Sequence, residues 1–243
     1  MKIRLLPDID LANNAPLEPW AKRAQLRHFE IGIPPYSLHP FRCERPDIVN
    51  AQFPLLPPAD PTPWREIERR IKNLADPGAE AETCVMLAKS YHEFVLGNGV
   101  RARFHGHPAL KLGGGRGFDS CFWEPYVLIF DGRMFIVFID ARRSSGLTAA
   151  GLKFAYSMMH EGLRGADPDL APAELLVLKF GKRKYDKTRP LRLLQPGKME
   201  LYSLDQLDAM IGETYRIWEE VLRERRGGSQ AGTGTDDIFG GPR

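Results

Sequence analysis

Two apolar runs dominate the hydrophobic pattern of this chain. The first covers residues 126–130, the second covers residues 134–139, and Asp131-Gly132 separates them. Asp-Gly is a strong hairpin signal because both residues tolerate the positive φ angles of a type I′ turn. The second run has no polar alternation, which is typical of a strand that is covered on both faces. The pattern therefore predicts a hairpin at the centre of a sheet.

Helical periodicity surrounds this hairpin. The pattern predicts helices over residues 63–75, 79–96, 147–163 and 203–226, and strands over residues 100–104, 109–112, 173–180, 191–194 and 199–202. A hairpin followed by a helical crossover to a further strand makes a mixed sheet with helices on its faces. The predicted fold class is therefore α/β, with a mixed central sheet and flanking helices.

The N-terminal quarter has a different composition. Residues 1–63 contain twelve of the twenty prolines, which disfavour long helices and central strands. Aromatic and aliphatic residues recur between these prolines, unlike in a disordered tail. We predict a proline-rich extended arm over residues 1–63, with one short helix at residues 17–28, that lies on the body or on a protein partner. An α/β domain would follow over residues 64–226, and a disordered Gly/Ser/Thr-rich tail over residues 227–243.

Composition narrows the functional classes only a little. The net charge of +3 permits contact with nucleic acid without arguing for it. Cys43, Cys84 and Cys121 form no CxxC pair, so we expect neither a zinc site nor a disulfide framework, and a cytoplasmic location is favoured. No apolar segment approaches the length of a membrane-spanning helix, so we expect no membrane partner.

Charged residues follow the second apolar run. Asp140-Ala141-Arg142 ends that strand, and Asp119 or Glu124 precedes the hairpin. Two carboxylates on one face could hold Mg²⁺ for phosphodiester hydrolysis, and a neighbouring cation could contact the phosphate. Alternatively, Asp140 and Arg142 are ordinary surface charges or a salt bridge at a strand end.

The order of these elements, together with the acidic motif, resembles the PD-(D/E)xK, or restriction-endonuclease-like, nuclease superfamily. The resemblance covers residues 79–180, and Arg142 stands where that family has Lys. It implies an α-β-β-β-α-β core, Mg²⁺ held by Asp119 and Asp140, and catalytic roles for Asp119, Glu124, Asp140 and Arg142. Because Arg does not readily release a proton, a catalytically inactive scaffold or nucleic-acid-binding subunit is the alternative expectation.

A basic loop at residues 181–189 is the best candidate for contact with DNA or RNA. Its cations surround a tyrosine, which suits phosphate contact and base stacking. Arg116, in the glycine run at residues 113–117, is a further candidate because glycine-rich backbone can cradle a phosphate. A solvated loop and a mobile turn are the alternatives. The candidate nucleic-acid contacts are Arg116, Lys182, Arg183, Lys184, Lys187 and Arg189.

Overall fold

The computed structural model describes residues 5–29, 38–54, 56–106, 110–113, 118–142, 144–181 and 189–230, of which residues 118–120 and 227–230 are described by their backbone alone. The described helices are α1 (Asp8–Asn14), α2 (Pro19–His28), α3 (His39–Ile48), α4 (Trp64–Leu74), α5 (Ala79–Gly97), α6 (Ala149–Met159) and α7 (Leu204–Gln230). The described strands are β1 (Ala51–Gln52), β2 (Arg101–Phe104), β3 (Leu110–Leu112), β4 (Phe118–Ser120), β5 (Tyr126–Phe130), β6 (Arg133–Asp140), β7 (Glu174–Phe180) and β8 (Leu191–Leu194).

Six of these strands form one mixed sheet in the order β1-β2-β5-β6-β7-β8. β1 lies parallel to β2 and β6 lies parallel to β7, while the other neighbouring pairs are antiparallel. β3 and β4 pair separately as a small antiparallel sheet. The predicted α/β class is confirmed, whereas residues 199–202 form no strand.

The hairpin between β5 and β6 has the predicted turn. Asp131 and Gly132 adopt φ angles of 50° and 70°, and Phe130 pairs with Arg133 across the turn. Both central residues thus occupy the left-handed region that a type I′ turn requires. The Asp-Gly pair between the two apolar runs therefore located this hairpin correctly.

Side chains of β6 alternate between two hydrophobic cores, one on each face of the sheet. Ile136 and Phe138 contribute to a core with α1, α2, α6 and α7. Val137 and Ile139 contribute to a core with α3, α4 and α5. The prediction that this strand is covered on both faces is confirmed, and the protein has three layers with the sheet in the middle.

Three helices replace the extended arm that the prolines predicted. α2 agrees with the helix expected at residues 17–28, while α1 and α3 were not predicted. Pro19 and Pro40 lie in the first turns of α2 and α3, where a missing N–H breaks no helical hydrogen bond. Leu11, Leu26 and Phe41 are no more than 2% exposed, so the described part of this segment packs on the body.

The C-terminal helix begins at the predicted capping box. The Ser203 backbone N–H donates to Gln206 Oε1 at 3.0 Å, and the Gln206 N–H donates to Ser203 Oγ at 3.4 Å. α7 continues to Gln230, so it enters the predicted tail, and residues 231–243 lie outside the described residues. Within the described chain, no helix is long and apolar enough to cross a membrane.

Candidate functional site

Asp140, a predicted metal ligand, is completely buried at the end of β6. Its Oδ2 accepts a hydrogen bond from the Leu147 N–H at 2.9 Å, and its Oδ1 accepts one from the Arg142 N–H at 3.2 Å. Lys179 Nζ on neighbouring β7 lies 3.8 Å from Oδ2. These contacts satisfy a buried charge and hold the segment that connects β6 to α6.

Arg142 forms a two-bond ion pair with Asp10 of α1. The distances are 2.7 Å from Nη1 to Oδ1 and 2.5 Å from Nη2 to Oδ2. Asn13, one turn further along α1, donates to the Gly146 carbonyl and accepts from the Thr148 N–H. Arg142, which we predicted to contact a phosphate, therefore connects helix α1 to the end of β6 in the structure.

Glu124, the alternative acidic candidate, lies just before β5 and is 6% exposed. Its Oε1 accepts from Arg45 Nη1 of α3 at 2.5 Å. Burial raises the pKa of Glu124, while the Arg45 charge lowers it. The partners of Glu124 thus come from the layer on the α3 side of the sheet, whereas those of Asp140 come from the strand end and its connection to α6.

Arg189 is the one predicted nucleic-acid contact that lies within the described residues. It is 2% exposed, and its guanidinium donates to the carbonyl oxygens of Gly181, Ala141, Arg142 and Phe180 at 2.8–3.1 Å. Arg189 therefore connects the segment that follows β6 to the end of β7. Its position leaves little of the side chain for an external phosphate.

The other predicted site residues lack described side chains. The backbone of Asp119 lies in β4. No group of three or more His, Cys, Asp or Glu side chains in the described ranges could hold a metal ion. The predicted Mg²⁺ site and the residue roles stay predictions that no observation tests. Outside the described residues lie Arg116, Lys182, Arg183, Lys184 and Lys187.

A surface that we did not predict follows β1 at one edge of the sheet. We call residues 53–58 the apolar loop; Leu55 within it lies outside the described residues. Phe53 is 55% exposed and Leu56 is 63% exposed. The Leu56 N–H donates to the Phe53 carbonyl at 3.2 Å.

Side chains at its base fix the shape of the apolar loop. The Gln52 amide accepts from the Ala59 N–H at 2.7 Å and donates to the Ala59 carbonyl at 3.3 Å. Asn50 Nδ2 also donates to the Ala59 carbonyl at 3.3 Å. The Phe53 ring stacks on Phe104 of β2, with centroids 4.3 Å apart and planes 17° apart. Contacts within the chain itself therefore order the base of the loop in the absence of a partner.

The apolar loop differs from the other exposed apolar positions. Across the described ranges, Phe53 and Leu56 are the one pair of exposed large apolar side chains within four residues of each other. The sequence signal for it is a short apolar run, Phe53 to Leu56, next to Pro57-Pro58. Sequence reasoning treated this run as part of the arm because its exposure depends on tertiary structure. The remaining exposed positions are Leu5, Trp20, Leu74, Leu96, Leu193, Met199 and Leu204.

Comparisons with known proteins give two matches. A family model described as the sliding clamp-binding bacterial toxin SocB matches residues 9–227. A curated relative from Caulobacter vibrioides (strain NA1000 / CB15N), the DNA replication inhibitor toxin SocB, is 33% identical over 225 residues, which is 93% of each chain. No solved structure matches. The family match begins inside α1, so it covers the N-terminal helices as well as the α/β body.

These matches overturn the nuclease resemblance. The predictions of a PD-(D/E)xK nuclease, a hydrolase activity and a nucleic-acid-binding subunit are wrong, since the chain matches a clamp-binding toxin instead. The physical reason is that a helix, strands, a hairpin, a helix and a strand can occur in unrelated α/β proteins. The Asp-x-Arg motif is also too short to be specific, and here its side chains are used to fasten the strand end.

Proposed function

Because the chain belongs to the SocB family of sliding clamp-binding bacterial toxins, we propose that it binds the sliding clamp and thereby inhibits DNA replication. The observation that carries this proposal is the family match over residues 9–227, together with the Caulobacter toxin that is 33% identical. The partner is then a protein rather than DNA or RNA. We therefore also propose that it acts in the cytoplasm, where bacterial DNA is replicated.

The apolar loop is the surface that we assign to the clamp. Exposed apolar side chains cost free energy in water, so an adjacent pair indicates a contact surface. Aromatic side chains dominate the energetics of protein interfaces when they fill a pocket on the partner. Prolines 54, 57 and 58 restrict the backbone of the loop, which lowers the entropy lost on binding.

The exposed area of Phe53 gives a magnitude for this contact. An aromatic side chain presents about 200 Å² of surface, and Phe53 is 55% exposed. Roughly 110 Å² therefore remains to be buried, which at about 25 cal/mol per Å² is worth about 2.8 kcal/mol. That free energy corresponds to roughly a hundredfold in affinity.

In this proposal, the protein inhibits DNA replication by occupying a binding site on the clamp. A loop that fills an apolar site on the clamp prevents other clamp-binding proteins from using the same site. Such a mechanism needs no covalent step. It also agrees with the internal contacts of Glu124, Asp140 and Arg142, whose side chains are engaged with Arg45, with backbone N–H groups and with Asp10.

A binding titration with purified sliding clamp tests the proposal. The wild-type protein should bind, and the variant Phe53→Ala/Leu56→Ala should bind at least roughly a hundredfold more weakly. The matched control is Leu74→Ala/Leu96→Ala, because these leucines are 54% and 68% exposed and lie at helix ends. The control should bind like the wild type. Absence of wild-type binding, or equal losses in both variants, would contradict the proposal.

A further inference from the structure

Trp20 of α2 is the most exposed large apolar side chain in the described ranges, at 76%. The buried side of α2 carries Lys22 and Leu26, which are 1% and 0% exposed. Trp20 lies two positions before Lys22, or about 200° around the helix, so it occupies the opposite side of α2. A single exposed apolar side chain is ordinary on a protein surface. Trp20 therefore assigns a contact only if its surroundings are built to receive one.

Contacts with α7 hold α2 in a fixed position. Arg225 Nη2 donates to the carbonyls of Leu26, Arg27 and Phe29 at 3.0, 2.7 and 2.9 Å. These carbonyls lie at the C-terminal end of α2, where helical partners run out. The Phe29 ring also meets Trp218 of α7 edge-on, with centroids 5.6 Å apart. The exposed side of α2 is therefore a firm platform in the absence of a partner.

A cleft of about 430 Å³ lies between α1 and α2, one helical turn after Trp20. Its volume is within the range of sites that hold small molecules or single side chains. The Asp10 carboxylate in its lining is already paired with Arg142, so the cleft suits an uncharged occupant. The lining residues are Asp10 and Asn14 of α1 and Ala24, Gln25, His28 and Phe29 at α2.

Asn14 gives this lining an acceptor that has no donor. The residue is 6% exposed, and its Nδ2 donates to the Asp10 carbonyl at 2.8 Å. Its Oδ1 is buried and accepts no hydrogen bond from any described residue. Because buried acceptors normally have a partner, the fitting occupant brings one N–H donor and an otherwise apolar surface. An indole ring has this chemistry, since its nitrogen donates and the ring has no acceptor.

Trp20 and the cleft are spaced so that two copies of the chain can fill each other's cleft. In an antiparallel pair of α2 helices that cross at Ala24, Trp20 of one copy faces His28 of the other, because each lies four residues from the crossing point. Ala24 is exposed and small, which permits the close approach of two packed helices. Such an interface uses the same surface twice and closes after two copies.

We propose that the protein forms a two-fold dimer in which Trp20 of each copy enters the cleft between α1 and α2 of the other. The indole Nε1–H then donates to Asn14 Oδ1. This surface belongs to the layer of α1 and α2, whereas the apolar loop follows β1 at the sheet edge, so the inference does not rest on the proposed function. One helix and one cleft from each copy make a small interface, and the dimer forms at micromolar concentrations.

Sedimentation equilibrium of the full-length protein over about 1–200 μM tests this inference, because a small interface dissociates within that range. The wild type should change from monomer to dimer. Trp20→Ala should raise the dissociation constant by at least about a hundredfold and stay monomeric. Leu96→Ala is the matched control, because Leu96 is 68% exposed but lies on α5. The control should dimerise like the wild type.

A double-mutant cycle tests the hydrogen bond to Asn14. Trp20→Phe keeps an aromatic ring and removes the donor, so it should raise the dissociation constant by about tenfold. In the Asn14→Leu background the same substitution should have no further effect, because the acceptor is gone. If Asn14→Leu fails to fold, Trp20→Phe alone decides, and a dissociation constant equal to that of the wild type overturns the hydrogen bond.

The other outcomes also decide the question. A wild type that is still monomeric at about 200 μM overturns the dimer. A dimer that Trp20→Ala leaves unchanged would use another surface and overturns it as well. If the wild type is monomeric and Trp20→Ala weakens binding to the clamp, the clamp covers Trp20 in place of a second copy. Failure of the wild type to bind the clamp would overturn the proposed function and leave the dimer standing.

Discussion

The ion pair between Arg45 and Glu124 offers a stringent test of how this protein is held together. We consider Arg45→Met, which keeps an unbranched apolar side chain and removes the charge. Glu124 is 6% exposed, and the Arg45 side chain is 17% exposed. The substitution therefore leaves a buried carboxylate without its cation.

The expected cost is large for a single substitution. Breaking a buried ion pair by removing one partner typically costs about 3–5 kcal/mol, because the other charge stays buried and unpaired. Arg45 also lies over the Phe41 ring at 5.8 Å, and that contact is worth about 0.5–1 kcal/mol. The double variant Arg45→Met/Glu124→Gln has no buried charge at this position, so it should recover most of the loss.

The stability that Arg45→Met loses should depend on pH, and the pKa of Glu124 gives the direction. Burial raises the pKa of Glu124 while Arg45 lowers it, so removal of Arg45 raises that pKa further. The folded variant then holds a proton on Glu124 that the unfolded chain releases, and stability falls as pH rises through this range. The deficit relative to the wild type should thus be largest near neutral pH and shrink as the pH falls.

Urea unfolding of the wild type, Arg45→Met, Glu124→Gln and the double variant at several pH values measures these effects. An Arg45→Met variant as stable as the wild type at neutral pH would refute the reasoning. So would a double variant no more stable than Arg45→Met.

Two further substitutions test separate parts of the fold. Burial of the Asp8 carboxyl group raises its pKa to about 6 although the residue as a whole is exposed, and the charges of Arg42, Arg142 and Arg45 oppose this rise. The stability that protonated Asp8 contributes is lost as the pH rises through about 6. The melting temperature of Asp8→Asn should therefore change less with pH in this range than that of the wild type. An unchanged slope would contradict this prediction. Gly162→Ala would place a Cβ 2.5 Å from the Trp123 ring and should cost about 1–3 kcal/mol in urea unfolding. Gly97→Ala, with no atom within 4 Å of the added Cβ, should cost nothing, and equal effects would refute the packing argument.

Local signals in the sequence were sufficient for the central elements. Asp131-Gly132 located the hairpin because its φ angles are dictated by the turn itself. Ser203 and Gln206 located the start of α7 because a capping box is complete within four residues. The prolines of residues 1–63 led us to predict an extended arm. Pro40, however, lies in the first turn of α3, where proline is compatible with a helix.

The contact surface could not be predicted because it depends on tertiary contacts. Phe53 and Leu56 read as ordinary candidates for burial, yet both are more than half exposed even though the Phe53 ring stacks on Phe104. Asp140 and Arg142 supported the nuclease resemblance, which the family match shows to be wrong. Their partners Leu147 and Asp10 lie elsewhere in the chain, so sequence alone could not show that these charges are already used.

The most direct test of the central claim is a titration of the purified protein into clamp-dependent DNA synthesis. Synthesis by the same polymerase without the clamp is measured in parallel. The wild type should suppress clamp-dependent synthesis and leave clamp-independent synthesis intact, and Phe53→Ala/Leu56→Ala should suppress neither. Equal inhibition of both reactions, or no inhibition of the clamp-dependent one, would contradict the account.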